Sequence, residues 1–300
     1  MASEASLGPG FRVGHWTAAA GTTGCTVILP PPGNVCSYDV RGSSPGSREL
    51  ASLDVERQRT EIHGLLFTGG SAFGLAAADG VMRWLEERGT GFRTPIATIP
   101  IVPAAVIFDA AAGDADARPG RDAGYAACEA AAEGAIATGR VGAGAGATAG
   151  KWTGHEYLVP GGLGVAAARE DDLEVRALAV ANPFGDVVAE DGSVLAGSTN
   201  PERRFRSPPA EPELGWNTVL VVAATVAALG KVDVRFLAAR ASDGITRAVR
   251  PAHTRYDGDI AFAIAAPSGA DRVATGADLD RLGALAVEAT ARAIRSAVRL

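Results

Sequence analysis

Short apolar runs along this chain predict β-strands. Each run is rich in Val, Ile or Ala and is closed by Gly, Pro or polar residues, which is the usual boundary of a buried strand. The predicted strands are Cys25–Leu29, Val35–Val40, Ile62–Thr68, Gly164–Arg169, Glu174–Ala181, Thr218–Ala224 and Ile260–Ala266.

Longer stretches with apolar residues three or four positions apart predict helices between these strands. They are Ser71–Arg88, with Ser71 as its cap, Arg121–Thr138, Gly230–Arg247 and Asp278–Leu300. Strand pairs and helices do not alternate regularly along the chain. This order predicts a layered α/β or α+β domain and disfavours a barrel or a doubly wound sheet.

The segment from Ala189 to Trp216 has a different composition from the rest of the chain. It is dense in Pro, Ser, Glu and Arg and has no periodic apolar residues, which predicts an exposed loop. Directly after it, Asn217 and Thr218 precede the apolar run Val219–Leu229. A hydroxyl side chain therefore begins a buried strand at the end of a flexible loop.

Composition and charge exclude several classes of protein. With 300 residues, 47% of them hydrophobic, the chain can bury a large core, either as one large domain or as two modest ones. The net charge of −6 disfavours a nucleic acid partner, which requires clustered Lys and Arg. No apolar run approaches the ~20 residues of a membrane span, and Met1–Gly10 has no features of a secretory signal, so we expect a cytoplasmic protein without membrane contact.

Two glycine-rich motifs resemble known catalytic or nucleotide-binding loops but lack essential residues. Gly142–Lys151 has Ala145 where a phosphate loop needs Gly, and Trp152 where it needs Ser or Thr. Gly42–Gly46 has the spacing of a nucleophile elbow, but Pro45 follows the serine and has no N–H for an oxyanion. We interpret Gly42–Gly46 as a turn and expect no nucleotide at Gly142–Lys151.

The remaining reactive residues are few. Histidines and cysteines are scattered, without the spacing of a metal site or a disulfide framework, so we expect no metal and no cofactor, and we expect the cysteines to be buried. They are His15, His63, His155, His253, Cys25, Cys36 and Cys128. Lys151 is one of only two lysines and lies in a stretch of Gly and Ala, which suits an amine with a tunable pKa as well as an ordinary surface lysine.

Two carboxylates flank a glycine just before the predicted strand Ile260–Ala266. Gly258 permits a tight bend that can turn Asp257 and Asp259 toward one site. Such a pair can orient and stabilise a nearby amine, although the same residues are equally typical of a solvated turn.

Taken in order, several motifs resemble the L-aminopeptidase/D-esterase family, which includes β-aminopeptidases and the nylon-oligomer endohydrolase. The resemblance extends over nearly the whole chain and is closest to the nylon-hydrolase branch. The motifs are Val13–His15, Asp39–Gly42 with Pro45 and Gly46, Leu66–Leu75 with Asp79 and Gly80, Gly142–Lys151, Asn182–Gly185, Asn217–Thr218 and His253–Asp259.

The resemblance implies one four-layer αββα sandwich that cuts itself between Asn217 and Thr218. Residues 1–217 and 218–300 would be the two subunits, and four such cleaved pairs would form a tetramer. Thr218 would be the nucleophile, with Lys151 and Asn182 beside it and Asp257 and Asp259 as the carboxylates. Relatives carry an active-site Tyr where this chain has Phe108, which would line the substrate-binding site.

The chemistry of these residue types fits such a site. A threonine hydroxyl needs a base, and the cut would create an α-amine with an unperturbed pKa of about 7.7–8.0. Lys151, Asp257 and Asp259 would tune that amine, and the Asn182 amide would stabilise the oxyanion, a role worth roughly 3–4 kcal/mol. The substrates implied are small peptides, amino amides or oligoamides. Two alternatives are acyl transfer of the ornithine acetyltransferase type and an inactive homologue that serves as a binding protein.

Overall fold

Two five-stranded sheets lie face to face in the computed structural model, which describes residues 5–110, 116–202, 216–267 and 274–299. In chain order the strands are β1 (Arg12–Thr17), β2 (Gly24–Leu29), β3 (Val35–Val40), β4 (Ser47–Arg48), β5 (Leu65–Thr68), β6 (Phe92–Arg93), β7 (Thr98–Ile99), β8 (Ala104–Val106), β9 (Thr148–Ala149), β10 (Val159–Pro160), β11 (Gly162–Glu170), β12 (Leu173–Asn182), β13 (Asp186–Val188), β14 (Val194–Ala196), β15 (Thr218–Thr225), β16 (Val249–Arg250) and β17 (Ile260–Ala265).

The first large sheet has the strand order β1-β2-β5-β8-β4, and the second has the order β11-β12-β15-β17-β3. Within the second sheet, β15 pairs antiparallel with β12 and parallel with β17. The helices are α1 (Ser71–Gly74), α2 (Ala77–Glu87), α3 (Arg121–Glu129), α4 (Lys231–Ala248) and α5 (Gly276–Ala297). This connectivity brings the start of β15 next to the end of β12 and the start of β17.

The alternation of side chains along the strands separates three apolar layers. On β15, Leu220 and Val222 face the core between the two sheets, together with Phe67 of the first sheet. Val219 and Val221 face the opposite way and pack with residues of α4 and α5. A third cluster joins the outer face of the first sheet to α2 and α3. The layers are therefore helix, sheet, sheet and helix, which confirms the expected αββα sandwich.

The strand and helix predictions were accurate where the pattern is long and apolar. The predicted helix Ser71–Arg88 was wrong in detail, because it is divided into α1 and α2 by i→i−3 hydrogen bonds around Leu75 and Ala76. Ser71 itself has a φ of 53° and is not the cap. The predicted strand Ile62–Thr68 begins only at Leu65, because the Ile62 N–H binds the side chain of Asn34.

The helix predicted over Arg121–Thr138 ends at Glu129. Beyond it, the backbone of Ala132 exchanges hydrogen bonds with Val13 of β1 at 3.0 and 3.2 Å, so these peptide groups are used by the sheet and not by the helix. Tertiary pairing has replaced a weak local helical preference.

The expected exposed loop from Ala189 to Trp216 is only partly a loop. It contains β14, which pairs with β13, and Ser198 and Asn200 are buried. Residues 203–215 lie outside the described residues. The three cysteines are buried and unpaired with one another, as predicted.

Across the described ranges, no helix is both long enough and apolar enough to cross a bilayer.

Candidate active site

Thr218 lies at the start of β15, which has β12 on one side and β17 on the other. Its Cα partner on β12 is Asn182, the last residue of that strand. On the other side, a parallel bridge joins Asn217 to Asp257, just before β17 begins. Side chains alternate along each strand, so Thr218 lies on the same face of β15 as Leu220, and Asn182 lies on the same face of β12 as Val180. This is the face toward the core between the sheets, and both residues are buried. The sheet register alone therefore brings three segments distant in sequence to one point.

The carbonyl group of Asn217 receives two hydrogen bonds. The Thr218 hydroxyl donates to it over 2.6 Å, and the Gly258 N–H donates over 2.7 Å. A hydroxyl thus lies against the carbonyl of the residue that precedes it, and a backbone donor polarises that carbonyl. This geometry suits attack by Thr218 Oγ1 on the Asn217 carbonyl carbon, because an N–H already lies where negative charge would develop.

Lys151 is buried, with 4% of its surface exposed, and its ammonium group lies among oxygen atoms. Its Nζ donates to Asn182 Oδ1 at 2.9 Å and to Asn182 O at 3.2 Å, and to the carbonyl and hydroxyl oxygens of Thr148 at 3.1 Å each. Burial lowers the pKa of Lys151 to about 7, although the charges of Asp257 and Asp259 act in the opposite direction. Burial therefore makes the neutral amine more accessible near neutral pH than in an exposed lysine, while the four acceptor oxygens favour the ammonium form.

Asp257 is held by donors from two loops. The Phe184 N–H donates to its Oδ1, and the N–H and hydroxyl of Thr254 donate to its Oδ2. Burial raises the pKa of Asp257 to about 6, and the charge of Asp259 adds to this shift, while the three donors act against it. The side chain is fixed in place, with both oxygens occupied.

Asp259 connects β15, the strand that begins at Thr218, to a histidine. Its Oδ1 accepts a hydrogen bond from the Val219 N–H at 2.7 Å. Its Oδ2 forms a hydrogen bond of 2.8 Å with Nδ1 of the His253 ring. The other ring nitrogen of His253 faces the Ser242 carbonyl at 3.2 Å. Burial works to lower the pKa of His253, but the hydrogen bond and charge of Asp259 outweigh it, so the pKa lies above its usual value. Both ring nitrogens face acceptors, which favours the imidazolium form.

The turn at Gly42–Gly46 holds Asp257 and Asp259 from outside the sheet. The Ser44 N–H donates to the Asp257 carbonyl, and the N–H groups of Arg41 and Gly42 donate to the Asp259 carbonyl. Between the two carboxylates, Gly258 leaves no room for a side chain, since a Cβ there would lie 2.8 Å from Thr218 Oγ1 and 2.6 Å from Ser44 O. This close approach explains the glycine in physical terms.

The amide of Asn182 binds two backbone carbonyls, and the oxyanion role expected of it from the sequence stays a prediction. Its Nδ2 donates to the carbonyl oxygens of Phe108 and Trp216, each at 3.2 Å, and its Oδ1 accepts from Lys151 and Thr148. The donors on the Asn217 carbonyl are thus the Thr218 hydroxyl and the Gly258 N–H, and the Asn182 amide binds the carbonyl one residue earlier. Phe108 lies at this end of the site, with its ring stacked on Trp216 at 4.8 Å between centroids.

All the residues singled out from the sequence therefore meet at the start of β15, but three further contributors were missed. Thr148 binds Lys151, His253 binds Asp259, and the N–H of Gly258 binds the Asn217 carbonyl. Thr148 and His253 belong to motifs noted in the sequence, yet nothing in their local pattern indicates these contacts. A backbone donor such as Gly258 N has no signal in the sequence beyond the glycine itself.

This chain is similar to known proteins over most of its length. A model of peptidase family S58 matches residues 9–300. An uncharacterized aminopeptidase of Mycobacterium bovis is 42% identical over 280 residues, which covers 85% of this chain and 79% of the relative. The 6-aminohexanoate-oligomer endohydrolase of Paenarthrobacter ureafaciens is 31% identical over 302 residues, which covers 93% of this chain and 81% of the relative.

Two solved structures have the same fold. The β-aminopeptidase of a Burkholderia species superposes with a TM-score of 0.75 at 23% identity, over 99% of this chain and 86% of that one. The L-aminopeptidase D-Ala-esterase/amidase of Ochrobactrum anthropi, described as a variant of the Ntn hydrolase fold, superposes with a TM-score of 0.77 at 19% identity, with the same two coverages. The fold expected from the sequence resemblance is thereby confirmed.

Proposed function

The chain belongs to peptidase family S58 and hydrolyses amide bonds, and we propose that it is made as a precursor that cuts itself between Asn217 and Thr218. The products are residues 1–217 and 218–300, and the new N-terminal Thr218 is the nucleophile of the mature enzyme. The substrates are small peptides, amino amides or related oligoamides. The names of the relatives favour hydrolysis over the acyl transfer and the inactive homologue considered from the sequence.

The contact that carries this proposal is the one at the Asn217 carbonyl. Thr218 Oγ1 and the Gly258 N–H both lie within 2.7 Å of its oxygen. In the cut, Thr218 Oγ1 bonds to the Asn217 carbonyl carbon, and the developing oxyanion is held by Gly258 N. The C–N bond then breaks, the Thr218 nitrogen takes up a proton, and water hydrolyses the resulting ester to release the Asn217 carboxylate.

We assign the base of this first step to Lys151, whose Nζ binds the side chain of Asn182, the β12 partner of Thr218. Before the cut there is no α-amine, and both oxygens of Asp257 and of Asp259 accept hydrogen bonds from other groups. Lys151, with its pKa lowered to about 7 by burial, supplies a nitrogen that can take the Thr218 hydroxyl proton and return it to the leaving nitrogen. The charges of the two carboxylates offset part of the lowering that burial causes, and their loop holds the segment that carries Gly258.

After the cut, the α-amine of Thr218 becomes the base. Its unperturbed pKa of about 7.7–8.0 leaves part of it neutral near pH 7, next to the hydroxyl it activates. Asp257 and Asp259 orient this amine, and Lys151 with Asn182 lines the site on the other side. The mature protein is an oligomer of cleaved pairs. The sequence resemblance implies that this oligomer is a tetramer.

An intact-mass measurement tests the proposed function. The purified wild-type protein is expected to give two masses, those of residues 1–217 and 218–300, and to hydrolyse amino acid anilides or amide oligomers without added cofactor. The same sample is separated on a denaturing gel and assayed. A single 300-residue chain that hydrolyses these amides contradicts the self-cleavage, and a cleaved protein inactive on every amide tested contradicts the activity.

Substitution of Gly258 by Ala is expected to slow the cut at least tenfold. The added methyl would lie 2.8 Å from Thr218 Oγ1 and 2.6 Å from the Ser44 carbonyl, so the hydroxyl or the N–H donor must move, and small displacements at a reacting centre are costly. The time course of the 1–217 fragment after cell-free synthesis measures this rate. Gly276→Ala is the control, since a Cβ at Gly276 meets no atom within 4 Å. Equal rates for the two variants contradict the assigned donor.

A further inference from the structure

The two residues before the proposed cut occupy a formed site. The Trp216 indole stacks on the Phe108 ring at 4.8 Å and 20°, and it contacts the His155 imidazole at 4.5 Å and 58°. The Trp216 carbonyl accepts from Asn182 Nδ2 at 3.2 Å. Side chain and backbone of one residue are thus recognised by separate groups of the protein.

Asn217, the next residue, is held in a different way. Its Nδ2 donates to the Tyr256 carbonyl at 3.2 Å, while its Oδ1 is buried and has no hydrogen-bond partner among the described residues. A buried amide oxygen without a partner costs free energy in the folded chain. The Trp216 side chain therefore has aromatic contacts with two rings, whereas the Asn217 amide oxygen has no partner among the described residues.

The same nucleophile acts in the self-cut and, under the proposed function, on external substrates. Thr218 Oγ1 and the Gly258 N–H fix where a carbonyl must lie to be attacked. The acyl part of a substrate must then follow the path that Trp216 and Asn217 follow in the precursor. The uncut chain shows how its own acyl residues are bound.

Resting on that function, we propose that Phe108, His155 and Asn182 form an acyl-side subsite of the mature enzyme, vacated by Trp216 after the cut. This subsite binds an aromatic ring and an amide carbonyl of the second unit before the scissile bond. The enzyme therefore hydrolyses oligoamides and peptides with two or more units on the acyl side faster than substrates with one, and it prefers an aromatic second unit. Phe108 determines this preference, because its flat face stacks on the ring.

Hydrolysis of short peptides that copy the cut tests this subsite. The mature enzyme is given Ac-Trp-Asn-Thr-Val-NH2, Ac-Leu-Asn-Thr-Val-NH2 and the shortened H-Asn-Thr-Val-NH2, and release of Thr-Val-NH2 is followed by mass spectrometry. Aromatic stacking predicts a kcat/KM about threefold to tenfold higher for the Trp peptide than for the Leu peptide. The shortened peptide is expected to be the poorest, since it lacks the carbonyl that Asn182 binds.

A matched pair of variants assigns the effect to Phe108. Phe108→Leu is expected to reduce the Trp-to-Leu ratio to near one, while Phe92→Leu, at a partly exposed ring distant in sequence, is expected to retain it. Rates are normalised to the amount of the 218–300 fragment, so that slower maturation of a variant does not affect the ratio.

The outcomes separate the subsite from the function. A ratio near one in the wild-type enzyme, or the highest rate with the shortened peptide, overturns the subsite while leaving the amide hydrolase intact. An unchanged ratio in Phe108→Leu overturns the role of that ring. Hydrolysis of amino acid anilides but of none of the three peptides also overturns the subsite, and no hydrolysis of any amide overturns the proposed function itself.

Discussion

Thr218→Ala is expected to remain one 300-residue chain and to show no amide hydrolysis. The substitution removes the hydroxyl that donates to the Asn217 carbonyl over 2.6 Å, which is the proposed nucleophile of both the self-cut and catalysis. Loss of a catalytic nucleophile typically lowers the rate by on the order of 10⁶-fold. Intact mass and an anilide assay on the same preparation measure both effects.

Thr218→Ser is the matched control, since it keeps the hydroxyl and removes only the methyl group. It is expected to cut itself and to retain activity, with fragments of the same boundaries. Circular dichroism and thermal unfolding of Thr218→Ala test whether the uncut protein is folded. An Ala variant that is cut at Asn217 as fast as the wild type would falsify the assignment of the nucleophile.

The fold could be predicted mainly where burial leaves a strong pattern. The run Thr218–Ala224 was recognised because both faces of its strand are apolar, and the structure has β15 over Thr218–Thr225. Boundaries failed where peptide groups bind elements distant in sequence. Ala132 pairs with Val13 of β1, and such a contact has no trace in the local periodicity of the segment Arg121–Thr138.

The site was predictable as a set of residues but not as a set of contacts. The resemblance to a known family supplied Thr218, Lys151 and Asn182, and the structure brings them together through the register of β12 and β15. The oxyanion role expected of the Asn182 amide stays a prediction, and the sequence did not indicate that this amide binds the Phe108 and Trp216 carbonyls. Hydrogen-bond partners depend on ångström distances between segments, which residue types alone do not encode.

Lys151→Met is expected to slow the self-cut by about 10²–10⁴-fold, the usual contribution of a general base. Met has nearly the length of Lys and no basic nitrogen, so the variant tests the base while filling most of the same space. It also leaves the oxygens of Thr148 and Asn182 without the donor they share. Thermal unfolding therefore accompanies the rate measurement, and Lys151→Ala with added propylamine serves as a second variant in which a small amine is expected to restore part of the rate.

The pH dependence of the self-cut distinguishes a base from a purely structural lysine. Burial lowers the pKa of Lys151 to about 7, so the neutral amine is abundant at pH 8 and scarce at pH 5. The rate is then expected to fall by on the order of 100-fold from pH 8 to pH 5, the ratio given by one titration at that pKa. Asp257, with its pKa raised to about 6 by burial, protonates in the lower part of this range.

Cell-free synthesis followed by transfer into buffers from pH 5 to pH 8 measures this profile from the growth of the 1–217 fragment. In Lys151→Met the residual rate is expected to lose the midpoint near 7, because the group that titrates there is absent. If the lysine only supports Asn182 and Thr148, the variant is slower at every pH by the same factor and keeps the wild-type midpoint. The shape of the profile, more than the size of the loss, therefore decides whether Lys151 takes the proton from Thr218.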